Sequence, residues 1–94
     1  MSQKAVLRQK TTICNNRGLH ARAAARLAKL AETFDATLTL KANGLSVSAH
    51  SIMGLMLLAA AAGTVVEVEA AGEGAQEGLD ALIDLIEAGF EEDE

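Results

Sequence analysis

Asn43-Gly44 is the feature that most constrains this chain. It stands between two runs that alternate apolar and polar residues. Both central residues of a type I′ turn need a positive φ, which Asn and Gly adopt at low cost. Leu38 and Leu40 alternate with Thr37, Thr39 and Lys41 on one side; Leu45, Val47 and Ala49 alternate with Ser46 and Ser48 on the other. The pair predicts a β-hairpin with one buried face, so the chain contains a sheet.

The remaining elements follow from periodicity. Residues 5–14 read as a strand, with Ala5, Leu7, Thr11 and Ile13 on one face and Arg8, Lys10 and Thr12 on the other. Cys14 reads as a packed residue of that strand. A polar turn at 15–18 leads into a helix over 21–34, where Leu27, Leu30, Ala31 and Phe34 share a face and Arg22, Arg26 and Lys29 form a cationic stripe on another. Ser51 is a good N-cap for a short helix ending at Leu58. Residues 64–70 give a fourth strand, with Val66 and Val68 inward. The last helix spans 75–88, with Leu79, Leu82, Ile83 and Ile86 inward; Gly89 then supplies a left-handed cap and Phe90 folds back. The order β-α-β-β-α-β-α predicts an α+β fold: an open-faced sandwich in which a four-stranded, mainly antiparallel sheet is covered on one face by three helices.

A chain of 94 residues has room for one domain, 1–94, ending in an acidic tail at 91–94. It carries 19 alanines against 28 larger apolar residues, so its core must be thin and close-packed. The net charge of −5 and the absence of Trp and Tyr argue against nucleic acid as a partner. The charge is uneven: all eight basic residues lie in the first 41 positions, which carry +6, while the remainder carries −11. A basic sector on an acidic protein suits an anion or an acidic partner. No apolar leader opens the chain and no run is long enough to cross a bilayer. One cysteine and two histidines give neither a disulfide nor metal-ligand spacing. These features predict a cytoplasmic monomer without metal or cofactor.

Two short segments concentrate the chemistry. Gly18-Leu19-His20-Ala21-Arg22 lies where the first strand hands over to the first helix, with His20 at the N-cap. The free N–H groups of a helix start and its dipole welcome an anion and disfavour a protonated imidazole, which leaves a ring nitrogen nucleophilic. A phosphoryl group on that ring would meet the N–H groups from Ala21 onward and the guanidinium of Arg22, with Arg17 in reach. A plain surface histidine is the alternative. The second segment is His50-Ser51-Ile52-Met53-Gly54. Ser51 is there as a cap, and a helix start also accepts a phosphate. The short helix has more apolar residues than one buried face needs, so Ile52, Met53 and Met56 suggest a docking patch.

Gly18-Leu19-His20-Ala21-Arg22-Ala23-Ala24-Ala25 resembles the active-site segment of the histidine-containing phosphocarrier (HPr) family of the bacterial phosphotransferase system. His50-Ser51-Ile52-Met53-Gly54-Leu55-Met56 resembles that family's regulatory serine segment. The resemblance implies that Enzyme I, charged by phosphoenolpyruvate, phosphorylates His20 on Nδ1, and that an enzyme IIA histidine receives the group. It implies that Arg22 and the helix-start N–H groups hold the phosphoryl oxygens. Ser51 matches the site of an HPr kinase/phosphorylase, and Ala25, Arg26, Lys29, Ile52, Met53 and Met56 would form the docking surface. Ala23 stands where many members have proline, and the ending Gly89-Phe90-Glu91-Glu92-Asp93-Glu94 is more similar to the nitrogen-type carriers than to the sugar-transport type, with the branch left open. Two rival readings are an interaction module read by its phosphorylation state and an all-helical acyl carrier modified on Ser51.

Overall fold

The computed structural model describes residues 5–92; residues 1–4 and the end of the expected acidic tail, Asp93 and Glu94, lie outside it. The elements are β1 (Val6–Thr12), α1 (Ala21–Ala31), β2 (Thr37–Ala42), β3 (Leu45–Ser48), α2 (Ile52–Leu57), β4 (Val65–Ala71) and α3 (Ala75–Glu87). A left-handed turn, Gly89–Glu91, follows α3. The four strands form one sheet in the order β1-β4-β2-β3, antiparallel throughout. The sheet excludes the all-helical acyl carrier.

The hairpin forms as the sequence requires: Asn43 and Gly44 have φ of 52° and 81°, and Thr39 to Ala42 pair with Ser48 to Leu45. β4 lies in the middle of the sheet, and its Val66 and Val68 are fully buried. They share the helix-covered face with Leu38, Leu40 and Ala70. Ala23, Ala24, Leu27 and Ala31 of α1 are also fully buried. Small side chains let this helix sit close to its neighbours, which is how an alanine-rich chain fills a core.

The uncovered face of the sheet is mostly polar, with Val6 and Val65 exposed on it. Glu69 on β4 accepts from Arg8 on β1 at 2.7 Å and from Lys41 on β2 at 2.9 Å. These bonds, that of Lys41 first, hold its carboxyl below the usual carboxylate range.

Four local expectations are corrected. Ala5 is exposed and precedes the strand, and Leu7, near the start of the edge strand β1, is only half-buried. Cys14 is exposed; its thiol reaches the carbonyls of Ile86 and Glu87 at the end of α3. α1 stops at Ala31, where i→i−3 bonds from Thr33 to Leu30 and from Phe34 to Ala31 tighten the chain into a turn. Leu45 is 48% exposed, since it sits at the hairpin end of the outer strand.

Candidate functional site

Local chain geometry sets His20 at the helix start. Gly18 has φ +68°, and a Cβ there would come within 2.6 Å of the Ala60 carbonyl oxygen. Leu19 N–H donates to that same carbonyl at 2.9 Å. The loop before α1 is thus pressed on the backbone just beyond α2, and only glycine permits the approach. His20 follows in extended conformation as the N-cap, and its carbonyl accepts from Ala24 N–H at 2.8 Å.

The two ring nitrogens meet different partners. Nδ1 points into the helix start and accepts from the Arg22 N–H at 3.2 Å. The Ala21 and Ala23 N–H groups have no protein partner among the described residues. Nε2 faces away and meets the carboxylate of Glu92 at short range. The other Glu92 oxygen accepts from Asn15 Nδ2 at 2.8 Å, and the same Nδ2 donates to Gly18 O at 2.8 Å. Asn15 is buried, and among the described residues its Oδ1 has no partner. The Glu92 carboxyl is held below its ordinary range, first by the Asn15 hydrogen bond, then by His20 and the positive charge of Arg17.

The end of the chain reaches the ring through an unusual turn. Gly89, Phe90 and Glu91 have φ of 62°, 57° and 60°. Left-handed backbone costs about 1–2 kcal/mol at each non-glycine residue. Phe90 is fully buried, which returns about 1.5–3 kcal/mol. Arg26 donates to the Phe90 carbonyl. The expected cap at Gly89 and the fold-back of Phe90 are both present.

The structure brings together most of the residues singled out at the first segment. His20, Arg17, Ala21 and Arg22 cluster at the start of α1, and both guanidinium-bearing residues are exposed. Lys29 is exposed and Ala25 half-buried; Arg26 is turned into the C-terminal segment, so Arg22 and Lys29 are the open members of the stripe. In the second segment, the Ser51 hydroxyl accepts from Gly54 N–H at 2.9 Å. Leu55 and Leu58 anchor α2 in the core. Ile52, Met53, Met56 and Leu57 are exposed, Met53 by 76%. His50 is exposed next to the cap.

Sequence reasoning missed Glu92 and Asn15. A helix dipole alone calls for no carboxylate on the ring. The one available signal was the reversal at Gly89-Phe90, which turns the chain after α3 back toward the end of β1.

A model of the PTS-HPr family, described as the phosphorylation site of the HPr component, matches residues 7–88. The phosphocarrier protein HPr of Cupriavidus necator is 47% identical over 89 residues, covering 95% of this chain and all of that protein. The phosphocarrier protein NPr of Shewanella violacea is 42% identical over 86 residues, covering 92% of this chain and 94% of that one. The crystal structure of HPr-C-His from Thermoanaerobacter tengcongensis superposes with a TM-score of 0.88 at 38% identity, covering 94% of this chain and 99% of that one. The chain belongs to the PTS-HPr family, the phosphocarriers of the phosphotransferase system.

Proposed function

We infer that His20 is the phosphoryl acceptor: it takes the group on Nδ1 from phosphoenolpyruvate-charged Enzyme I and gives it to a histidine of an enzyme IIA protein. The observation that carries this reading is the direction of Nδ1, which points into a helix start whose Ala21 and Ala23 N–H groups have no partner among the described residues. Phosphoryl transfer runs through a loose transition state, so the protein contributes mainly position and charge. The Nδ1 lone pair leaves the Arg22 N–H and attacks phosphorus; the bond between phosphorus and the group that carries it on Enzyme I breaks, and its electron pair leaves with that group. The Ala21, Arg22 and Ala23 N–H groups and the Arg22 fork are the groups available for the three equatorial oxygens. Arg17 adds a second exposed cation beside them.

Docking in this reading uses Ala25 and Lys29 of α1 with Ile52, Met53 and Met56 of α2, and Arg26 joins them only on releasing the Phe90 carbonyl. Apolar side chains form the centre and cations the edge, which suits partners with acidic rims. Ser51, at the edge of the apolar patch, is a regulatory site for an HPr kinase/phosphorylase. The protein is a single-domain, monomeric, cytoplasmic carrier in this account.

The test is incubation with Enzyme I and phosphoenolpyruvate. The parent should acquire one acid-labile phosphoryl group and His20→Ala none, with both folded by circular dichroism. Acid-labile label on the His20→Ala protein, located at His50, would refute the assignment.

A further inference from the structure

His20 has two nitrogens that could carry a phosphoryl group, and Nε2 is the less crowded in an ordinary histidine. In this protein it is the covered one. The Glu92 carboxylate lies against Nε2 and is itself held by Asn15 Nδ2 at 2.8 Å. Asn15 is in turn fixed by its bond to Gly18 O at 2.8 Å. The His20 and Glu92 side chains are only 15% and 9% exposed, so a donor has little access to Nε2. Building on the acceptor reading above, we propose that Glu92 is a positioning residue that directs phosphorylation to Nδ1, by accepting the Nε2–H proton and shielding that nitrogen.

The chemistry follows from the acceptor count. A carboxylate only accepts hydrogen bonds, so the ring nitrogen facing it must carry the proton. The lone pair is then on Nδ1, where the Arg22 N–H already finds it. This is the role of an orienting carboxylate behind a nucleophilic or basic imidazole. When Nδ1 attacks phosphorus, positive charge develops on the ring. Glu92 meets that charge through the retained Nε2–H, while the phosphoryl oxygens gather at the opposite nitrogen, by the helix start. The proton stays on Nε2 throughout, and no further reactant is needed. Three successive left-handed residues, Gly89, Phe90 and Glu91, carry the chain back so that Glu92 reaches the ring.

Glutamine makes a sharp test. Its single amide oxygen would be claimed by Asn15 Nδ2, as one carboxylate oxygen is now. Its NH₂ group would then face Nε2 and call for a lone pair there, moving the ring proton to Nδ1. Glu92→Gln should therefore misdirect phosphorylation at least as strongly as Glu92→Ala. A residue acting only through packing would rank the two variants the other way.

The experiment phosphorylates the full chain with phosphoramidate, a small donor that needs no protein partner, and reads the two phosphohistidine isomers by ³¹P NMR. Parent and Glu91→Gln should give the Nδ1 isomer at His20. Glu92→Ala and Glu92→Gln should shift the isomer ratio toward Nε2 by roughly tenfold, the scale of one lost charge-assisted hydrogen bond. An unchanged ratio in both variants, or a parent already modified mainly on Nε2, overturns the proposal. If the ring takes no phosphoryl group from phosphoramidate or from Enzyme I, the acceptor reading falls instead. The Nε2–H resonance in ¹⁵N-resolved spectra then decides on Glu92: slow exchange in the parent and fast exchange in Glu92→Ala support it, and equal exchange overturns it.

Discussion

Gly18→Ala tests how the loop before α1 is held. Two effects add at this position. Gly18 has φ +68°, and an alanine in left-handed conformation costs about 1–2 kcal/mol. The new Cβ would also stand 2.6 Å from Ala60 O and 2.9 Å from Ala61 Cα, both backbone atoms that no rotamer change can move away. Forcing extra volume into such a contact costs about 1–3 kcal/mol. Together the substitution should destabilise by about 2–5 kcal/mol. Gly44→Ala is the control, because Gly44 also has positive φ, +81°, but has nothing within 4 Å of an added Cβ. It should lose only the conformational part, about 1–2 kcal/mol. Urea unfolding of both variants gives the difference directly, and it isolates the contact with residues 60 and 61. Each kcal/mol corresponds to a fall in Tm of about 4–8 °C for a chain of this size. Because His20 N–H donates to Gly18 O at 2.9 Å, the variant should also be phosphorylated more slowly at a temperature where it is folded. Equal losses in the two variants would mean that the segment after α2 yields to the loop and does not hold it.

Arg22→Lys should slow phosphoryl transfer by roughly tenfold, since an ammonium replaces a two-toothed fork with a point charge. Arg22 is exposed, so urea unfolding should register less than about 0.5 kcal/mol, and an unchanged rate would reduce Arg22 to part of the charge stripe. Ser51→Asp should keep the cap to Gly54 N–H, with stability unchanged to within about 0.5 kcal/mol. It should weaken the apparent affinity for Enzyme I in a manner relieved by salt; equal affinities would leave Ser51 a plain helix cap. For Glu69, the folded-state pKa lies below the ordinary value of 4.5, so its contribution is complete above that value and is lost as pH falls through the depressed one. The stability difference between parent and Glu69→Gln should stay level above pH 4.5 and shrink in stronger acid; a difference that persists in strong acid would contradict the ion-pair account.

Much of the fold was legible because its signals are local. The type I′ turn at Asn43-Gly44 and the alternation on either side fix β2 at Thr37–Ala42, as expected. The cap at Ser51 and the surplus of apolar residues in α2 were also local, and both appear as read. Periodicity overran α1 because a tightened last turn leaves Phe34 half-buried much as a helix would. It misplaced Leu45 because alternation says which face a side chain takes, not how far the covering helices extend. Alternation also carries Cys14 into the strand, but the strand ends at Thr12 and the thiol turns toward the end of α3. At the site, the His20 cap and the cations near it could be read from one short segment. Glu92 could not. It meets a ring 72 positions away, and that meeting depends on the sheet order, the packing of α3 and three left-handed residues after it. Those are tertiary facts with no local pattern beyond Gly89-Phe90.

The central claim is that His20 Nδ1 carries the phosphoryl group in transit. The most direct measurement is ³¹P and ¹⁵N NMR of the parent protein after Enzyme I and phosphoenolpyruvate, followed by addition of an enzyme IIA protein. The account predicts one phosphohistidine signal, of the Nδ1 isomer at His20, that disappears as the enzyme IIA histidine becomes labelled. A phosphoryl group found on His50, or one on His20 that no enzyme IIA protein discharges, would contradict it.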